Sequence, residues 1–234
     1  MRETQISNPY LDEVRKFPRN ELEWEYRHIW KPEPYPWRGD NFPEENGKRI
    51  TRDDLCGKYA WSIPDPASLQ FVAQALWAKA LEIGAGTGYY AHLLSQMGVD
   101  MLCFDLHPPQ HTGQNHWHSP RNENHNGLLG ITREVFYDVR GGGPLIAAKH
   151  PDRALFLCWP PYEDEMAYHT LQAYQGQRLV YIGEGEGGCT ADDAFFALLA
   201  SEWHQVSEHT PVQWSGIHDY ISVHERGPEV EQPQ

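Results

Sequence analysis

From residue 64 onward, short continuous apolar runs alternate with segments of helical periodicity. Asp65-Pro66 opens an apolar-periodic stretch through Leu69, Val72 and Leu76, which predicts a helix capped by Asp and started by Pro. Residues 80–83 then predict a short buried strand, 89–97 a helix, 99–104 a second strand and 134–139 a third. A brief helix over 144–149, a strand over 154–158, a helix over 163–174, a strand over 178–183 and a helix over 191–202 continue the rhythm. Strands that alternate with helices predict an α/β fold, a mostly parallel sheet with helices on both faces. The end departs from that rhythm. Residues 203–208 and 219–224 are two alternating segments whose connection is too short for a crossover helix, so they are expected to pair antiparallel.

Residues 1–60 are patterned differently. Pro9, Pro18, Pro32, Pro34, Pro36 and Pro43 break the segment, and Tyr26, Trp30, Tyr35 and Trp37 supply aromatic surface. A helix over 19–29, capped by Asn20, fits there. This arm is open to three readings: a lid over a pocket, a wrap around the domain, or an arm that binds a partner. The division expected is therefore an arm over 1–60, one domain over 61–227 and a frayed tail over 228–234, with an irregular Asn-, His- and Gly-containing insertion over 110–130.

Composition narrows the function classes. With 234 residues, 40% of them hydrophobic, and nine Trp, the chain can bury a core, which excludes disorder along its whole length. Nineteen basic residues face 33 acidic ones, a formal charge of −14, so nucleic acid and acidic membranes are disfavoured as partners. The 13 His soften this only below neutral pH. Cys56, Cys103, Cys158 and Cys189 are far apart without paired spacing, as expected of reduced thiols in a cytoplasmic protein. No run approaches the roughly 20 apolar residues of a membrane span, and the charged start has no signal-peptide character.

The candidate chemistry begins at Leu81-Glu82-Ile83-Gly84-Ala85-Gly86-Thr87-Gly88, where a predicted strand ends in three alternating glycines and runs into a helix. Glycines there let the backbone turn tightly and approach a ligand, and the helix start offers unpaired N–H groups. Asp105 ends the next predicted strand, at a distance that suits a carboxylate on the two hydroxyls of a ribose. A dinucleotide fingerprint would need Gly or Ala where Tyr89 stands, and Glu82 adds an acid that suits a cationic ligand better than a pyrophosphate.

On these residues the chain resembles the class I S-adenosylmethionine-dependent methyltransferases, whose first motif is an E/D-x-G-x-G-x-G turn, matched at Glu82, Gly84, Gly86 and Gly88. The resemblance spans roughly residues 60–226 and includes the terminal antiparallel pair, which in that family closes a seven-stranded sheet. It implies S-adenosylmethionine as cofactor, with Gly84 to Gly88 along the methionine part, Asp105 on the ribose hydroxyls and Asp138 at the adenine amine. Tyr59 and Trp61 occupy the region from which related enzymes close over the cofactor. Cys158-Trp159-Pro160-Pro161-Tyr162 is similar to the N/D-P-P-Y tetrapeptide of amino-group methyltransferases, which would set Cys158 beside the cofactor and Trp159 and Tyr162 beside the departing methyl. Trp159 stands where Asn or Asp would accept from a planar amine; an indole only donates, which argues against a nucleobase acceptor.

Three further features bear on the acceptor. The loop 183–190 carries Glu184 and Glu186, which suit a cationic acceptor or removal of a proton from an amine. His107, His111, His116, His118 and His125 crowd the insertion, where a zinc site is weighed and set below a single general base or substrate contact, with His118 beside Trp117 the choice. His218 is another possible base. No G-x-S-x-G elbow and no phosphate-loop motif is present. The expected function is thus S-adenosylmethionine-dependent methyl transfer to nitrogen or oxygen of a small molecule or peptide, with no metal. The alternatives are an amino-directed nucleic-acid methyltransferase and a cofactor-binding partner protein without catalysis.

Overall fold

The structure, a computed structural model, describes residues 6–17, 43–45, 47–111, 114–115, 117–118 and 135–227. Seven strands form its main sheet: β1 (Lys79–Ile83), β2 (Asp100–Asp105), β3 (Val139–Gly141), β4 (Ala154–Cys158), β5 (Arg178–Gly183), β6 (Trp203–His209) and β7 (Tyr220–Arg226). Their order across the sheet is β3-β2-β1-β4-β5-β7-β6. The first five pair in parallel, whereas β7 runs antiparallel to both β5 and β6. The expected α/β fold, with its seven strands and terminal antiparallel pair, is therefore present. Because the chain works outward from β1 and then restarts at β4, the order reverses between those two strands. Open α/β sheets bind ligands at such a reversal, beyond the carboxyl ends of the strands.

Apart from the buried Glu82 of β1, the central strands are apolar on both faces, as their short apolar runs predicted, because helices cover both sides. One face packs against α1 (Pro9–Val14), α2 (Arg52–Lys58), α3 (Pro66–Ala75) and α4 (Tyr89–Gln96). The other packs against a 3₁₀ helix over Pro144–Lys149, α5 (Met166–Ala173) and α6 (Asp193–Glu202). Asp65 caps α3 as expected, accepting from the N–H of Ala67 and Ser68 at 2.9 and 3.1 Å. Its second oxygen accepts from Val212 N–H at 3.2 Å and so ties the β6–β7 connection to the same helix end. The described parts of the leading segment join this core: Tyr10 is fully buried, its N–H donates to the Tyr89 hydroxyl at 3.0 Å, and its ring stacks on Tyr59 at 5.1 Å. Burial of such side chains stabilises by about 1.5–3 kcal/mol each.

Arginines fasten the amino-terminal end of the sheet. Arg153, just before β4, donates to the carbonyls of Ala80 and Asp100 and to the Asp100 carboxylate. Arg178 pairs with Glu225 and lies 4.0 Å over the Trp77 ring, while Arg226 donates to the carbonyls of Tyr174 and Gly176 and lies 4.4 Å over Trp203.

Two sequence expectations are corrected. The third strand is not 134–139 but Val139–Gly141: Phe136 and Tyr137 pack their rings against the α1–α4 face, and only Val139 carries the strand inward. The last helix begins at Asp193 and not at 191, because Asp192 caps it and accepts from Phe195 N–H at 2.9 Å. The expected helix over 19–29, most of the insertion and the tail lie outside the described residues. All four cysteines are free, and among the described residues no helix is long and apolar enough to cross a membrane.

Candidate functional site

β1 ends at Ile83, and the next five residues carry the chain into α4. Gly84, Gly86 and Gly88 have φ of +77°, +53° and +70°, in the left-handed region that costs other residues about 1–2 kcal/mol. The N–H groups of Gly84 and Ala85 both donate to the Phe104 carbonyl, at 2.9 and 3.0 Å, which fixes the turn against the end of β2. Asp105, the last residue of β2, reaches back to it: one carboxylate oxygen accepts from Gly86 N–H at 2.9 Å. The other accepts from His107 N–H at 2.9 Å and from the Asn115 amide at 3.3 Å. The glycine turn and the acid one strand over are thus in direct contact.

Next to them opens a cavity of about 990 Å³, at the upper end of the roughly 300–1,000 Å³ of small-molecule sites. Gly84, Asp105, Leu106, Gly142 and Gly143 line one half, at the ends of β1, β2 and β3. Arg52, Trp61, Cys158, Trp159 and Tyr162 line the other, at the end of β4. Two movable side chains lean over the turn. A Cβ on Gly84 would lie 2.8 Å from Met166 Cε, and one on Gly86 would lie 2.2 Å from His118 Nε2.

The β4 half is built on Trp159, which has φ of +52°, donates its N–H to the Ile182 carbonyl at 2.7 Å and its indole N–H to Asp219 at 3.0 Å. Asp219 is 2% exposed, and burial pushes its carboxyl up to about 6 against the pull of that hydrogen bond. Trp61 stacks on Trp159 with ring centres 6.0 Å apart, and Trp117 meets Trp61 edge-on at 5.7 Å. The Arg52 guanidinium lies 5.4 Å from the Trp61 ring centre and 5.6 Å from that of Trp159. Tyr162, 53% exposed, stands at the rim, whereas the Cys158 thiol is pushed well up by burial and stays protonated.

The structure thus brings Gly84, Asp105, Trp61, Cys158, Trp159, Tyr162 and His118 to one cavity, with Gly86 under His118. Other expected residues lie elsewhere. Tyr59 stands behind the turn in an aromatic stack with Tyr10 and Phe136, its carbonyl accepting from the Thr87 hydroxyl. Gly88 is pressed against Tyr137 and Val139. Glu82 is buried beneath the turn, beside its strand partners Cys103 and Phe156. Burial pushes its carboxyl up to about 8, against the hydrogen bond from Cys103, so it is neutral at physiological pH and off the cavity wall.

Asp138 precedes β3, and its exposed side chain pairs with Arg140 at 2.9 Å. The residue in register with Asp105 is Gly141, and the Gly142 and Gly143 that follow take the wall position expected of Asp138. Glu184 uses both oxygens locally, accepting from the N–H groups of Cys189 at 2.7 Å and His218 at 2.8 Å. Burial favours its neutral form, yet these donors prevail and hold it below the usual carboxylate range, which makes it a weak base. Glu186 and His218 are exposed. His116 and His125 lie outside the described residues, and among the described residues no group of three or more His, Cys, Asp or Glu is placed to hold a metal.

Sequence reasoning passed over Arg52, Asn115, Gly142, Gly143, Met166 and Asp219. Of these, only the Gly-Gly-Gly-Pro run at 141–144 carried a local signal, a breaker directly after a strand.

No protein-family description and no curated protein matches the chain. Solved structures do resemble it at low identity. One is a putative tRNA (m1A22) methyltransferase of Streptococcus pneumoniae, 18% identical over 72% of this chain and 73% of that one, with a TM-score of 0.45. Another is the magnesium protoporphyrin IX methyltransferase of Synechocystis PCC 6803 with bound SAM, 11% identical over 69% of this chain and 76% of that one, with a TM-score of 0.40. At such scores the likenesses decide nothing about the site. The fold stands on the chain's own strand order and register, and it is the seven-stranded α/β sheet that the sequence resemblance implied.

Proposed function

We propose that the chain is an S-adenosylmethionine-dependent methyltransferase acting on nitrogen or oxygen of a small molecule or peptide. The observation that carries this is the contact of Asp105 with Gly86 N–H, between the ends of β1 and β2 and beside the reversal of strand order, inside an E-x-G-x-G-x-G turn. The residues fit the cofactor. Asp105 is an acceptor-only group suited to paired ribose hydroxyls, and Gly84 and Gly86 bring bare backbone to the cleft. Gly142 and Gly143 leave room for a flat base where Asp138 does not reach, and the cavity is large enough for a nucleoside and a small acceptor together.

Bound S-adenosylmethionine supplies a methyl carbon already activated by its sulfonium. The chain's part is alignment and exclusion of water, which is where most of the barrier reduction in such a transfer arises. Trp61, Trp159 and Tyr162 form the apolar walls that position an acceptor. His118, buried against Gly86 with its Nδ1 3.2 Å from the Gly57 carbonyl, is the imidazole placed to take a proton from an amine or hydroxyl. Glu184 braces the wall through the Cys189 and His218 loops.

Isothermal titration with S-adenosylmethionine, S-adenosylhomocysteine and NAD tests the reading. The two sulfur nucleosides are expected to bind and NAD not to, and Asp105→Ala is expected to weaken cofactor binding by tenfold or more. NAD binding as well as the sulfonium compound, or an Asp105→Ala variant of unchanged affinity, would overturn it. Transfer of labelled methyl into a metabolite extract and a peptide pool then identifies the acceptor.

A further inference from the structure

We infer that Arg52 reads a carboxylate of the acceptor, and that the acceptor is a small aromatic acid methylated at an atom other than that carboxylate. The inference rests on the methyltransferase reading and deepens it by naming the substrate class.

Arg52 is the first residue of α2, and its guanidinium lies against the rings of Trp61 and Trp159 in the β4 half of the cleft, across the strand reversal from Asp105. Its Nε and Nη2 are buried and have no hydrogen-bond partner among the described residues. Among the described residues Nη1 meets only Asp53, an exposed neighbour, at 3.4 Å. The Trp61 indole N–H beside it is likewise buried and unpartnered. A buried charged donor without an acceptor is costly, and a guanidinium stacked on rings keeps its in-plane N–H fork for a planar, two-oxygen anion. Among the described residues no carboxylate fills that fork: Asp53 reaches one nitrogen, and Asp219, the buried acid nearby, accepts from the Trp159 indole through Oδ2, makes no ion pair with Arg52 and leaves its Oδ1 without a hydrogen-bond partner.

The surroundings select the rest of the molecule. Trp61, Trp117 and Trp159 offer flat apolar faces, which suit an aromatic body. Arg52 is the single Arg or Lys among the described residues that line the cavity, in a chain of net charge −14. One small anion is attracted at that point, and a polyanion is repelled everywhere else. A carboxylate paired with a guanidinium has its charge compensated and one lone pair of each oxygen engaged, which lowers its nucleophilicity, so the methyl goes to a hydroxyl or amine elsewhere on the ring system. Because the donors are buried beside the indoles, a ligand that reaches them shifts those rings, and tryptophan fluorescence reports it.

The full chain is titrated with 1-naphthoate and its uncharged counterpart 1-naphthamide, read by calorimetry and tryptophan fluorescence. The titrations use wild type, Arg52→Gln and Arg52→Lys, and S-adenosylmethionine affinity is measured on the same preparations. Naphthoate is expected to bind wild type at least tenfold tighter than naphthamide, Arg52→Gln to abolish the difference, and Arg52→Lys to keep part of it. The cofactor affinity of both variants is expected to stay within twofold of wild type. Equal binding of acid and amide by wild type overturns the inference, and so does a preference for the acid that survives in Arg52→Gln. A tenfold loss of cofactor affinity in both variants also overturns it, because Arg52 would then read the cofactor's own carboxylate. Should Arg52→Gln fail to fold, the wild-type and Arg52→Lys comparison decides alone. Failure of wild type to bind S-adenosylmethionine defeats the methyltransferase reading and leaves the naphthoate result legible by itself.

Discussion

Glu82 and Asp105 stand one strand apart at the head of the sheet and meet opposite environments. Asp105 accepts three hydrogen bonds at the cleft, whereas Glu82 is buried beneath the turn with a thiol for company, its carboxyl raised to about 8. The folded chain therefore keeps a proton that the unfolded chain releases near its ordinary 4.5. The stability this provides is complete below that pH and is lost as pH rises towards 8. His224 contributes with the reverse sign, since burial lowers its imidazole to about 4 and stability falls as pH drops from about 6.5 to that value. The difference between wild type and Glu82→Gln isolates the first effect: the variant is expected to gain melting temperature relative to wild type from pH 5 to pH 8. Melting curves that run parallel across that range would refute the buried proton. At this scale the sequence was informative where a residue belonged to a spaced motif, as with Gly86 and Asp105. It said nothing of Arg52, whose role depends on a tryptophan far along the chain that only the folded packing brings near.

Among the elements, the turn from β1 to α4 is the least replaceable. Gly88 combines a left-handed backbone with a crowded front, since an added Cβ would lie 2.9 Å from both Tyr137 Cβ and Val139 Cγ2. Those atoms sit close to their own backbone and do not swing away, whereas the group facing Gly84 is the free end of Met166. Gly88→Ala is accordingly expected to cost roughly 2–4 kcal/mol in urea unfolding, and Gly84→Ala only the backbone strain of about 1–2 kcal/mol. Equal losses would mean that crowding plays no part. Strands β1, β2, β4 and β5 were legible because largely buried strands leave short apolar runs, broken inside β1 only by Glu82. β3 was not: Val135, Phe136 and Tyr137 make a better run than Val139, Arg140 and Gly141, yet Phe136 is drawn to the helices by Tyr59 and Tyr89, and the Tyr137 hydroxyl is turned to the Met101 carbonyl. That displacement moved Asp138 off the cleft and put glycines in its place.

For the molecule as a whole, net charge and sheet topology were both readable, the first by counting and the second because strands and helices alternate. The excess of acid predicts no salt-sensitive association with polyanions. A 30-nucleotide RNA or DNA is expected to migrate unshifted with the protein even at low salt, and retention that weakens as salt is added would favour the nucleic-acid alternative. The sheet itself has two unlike ends. At the strands' amino termini, Arg153, Arg178 and Arg226 clasp carbonyls, carboxylates and indoles, while the opposite end is made of turns and loops around a cavity. Such a division separates what must stay fixed from what can be rewritten. Amide exchange should be slowest at the clasped base and fastest around the mouth, and loops at the mouth could be replaced to suit another guest without loosening the foundation on which they stand.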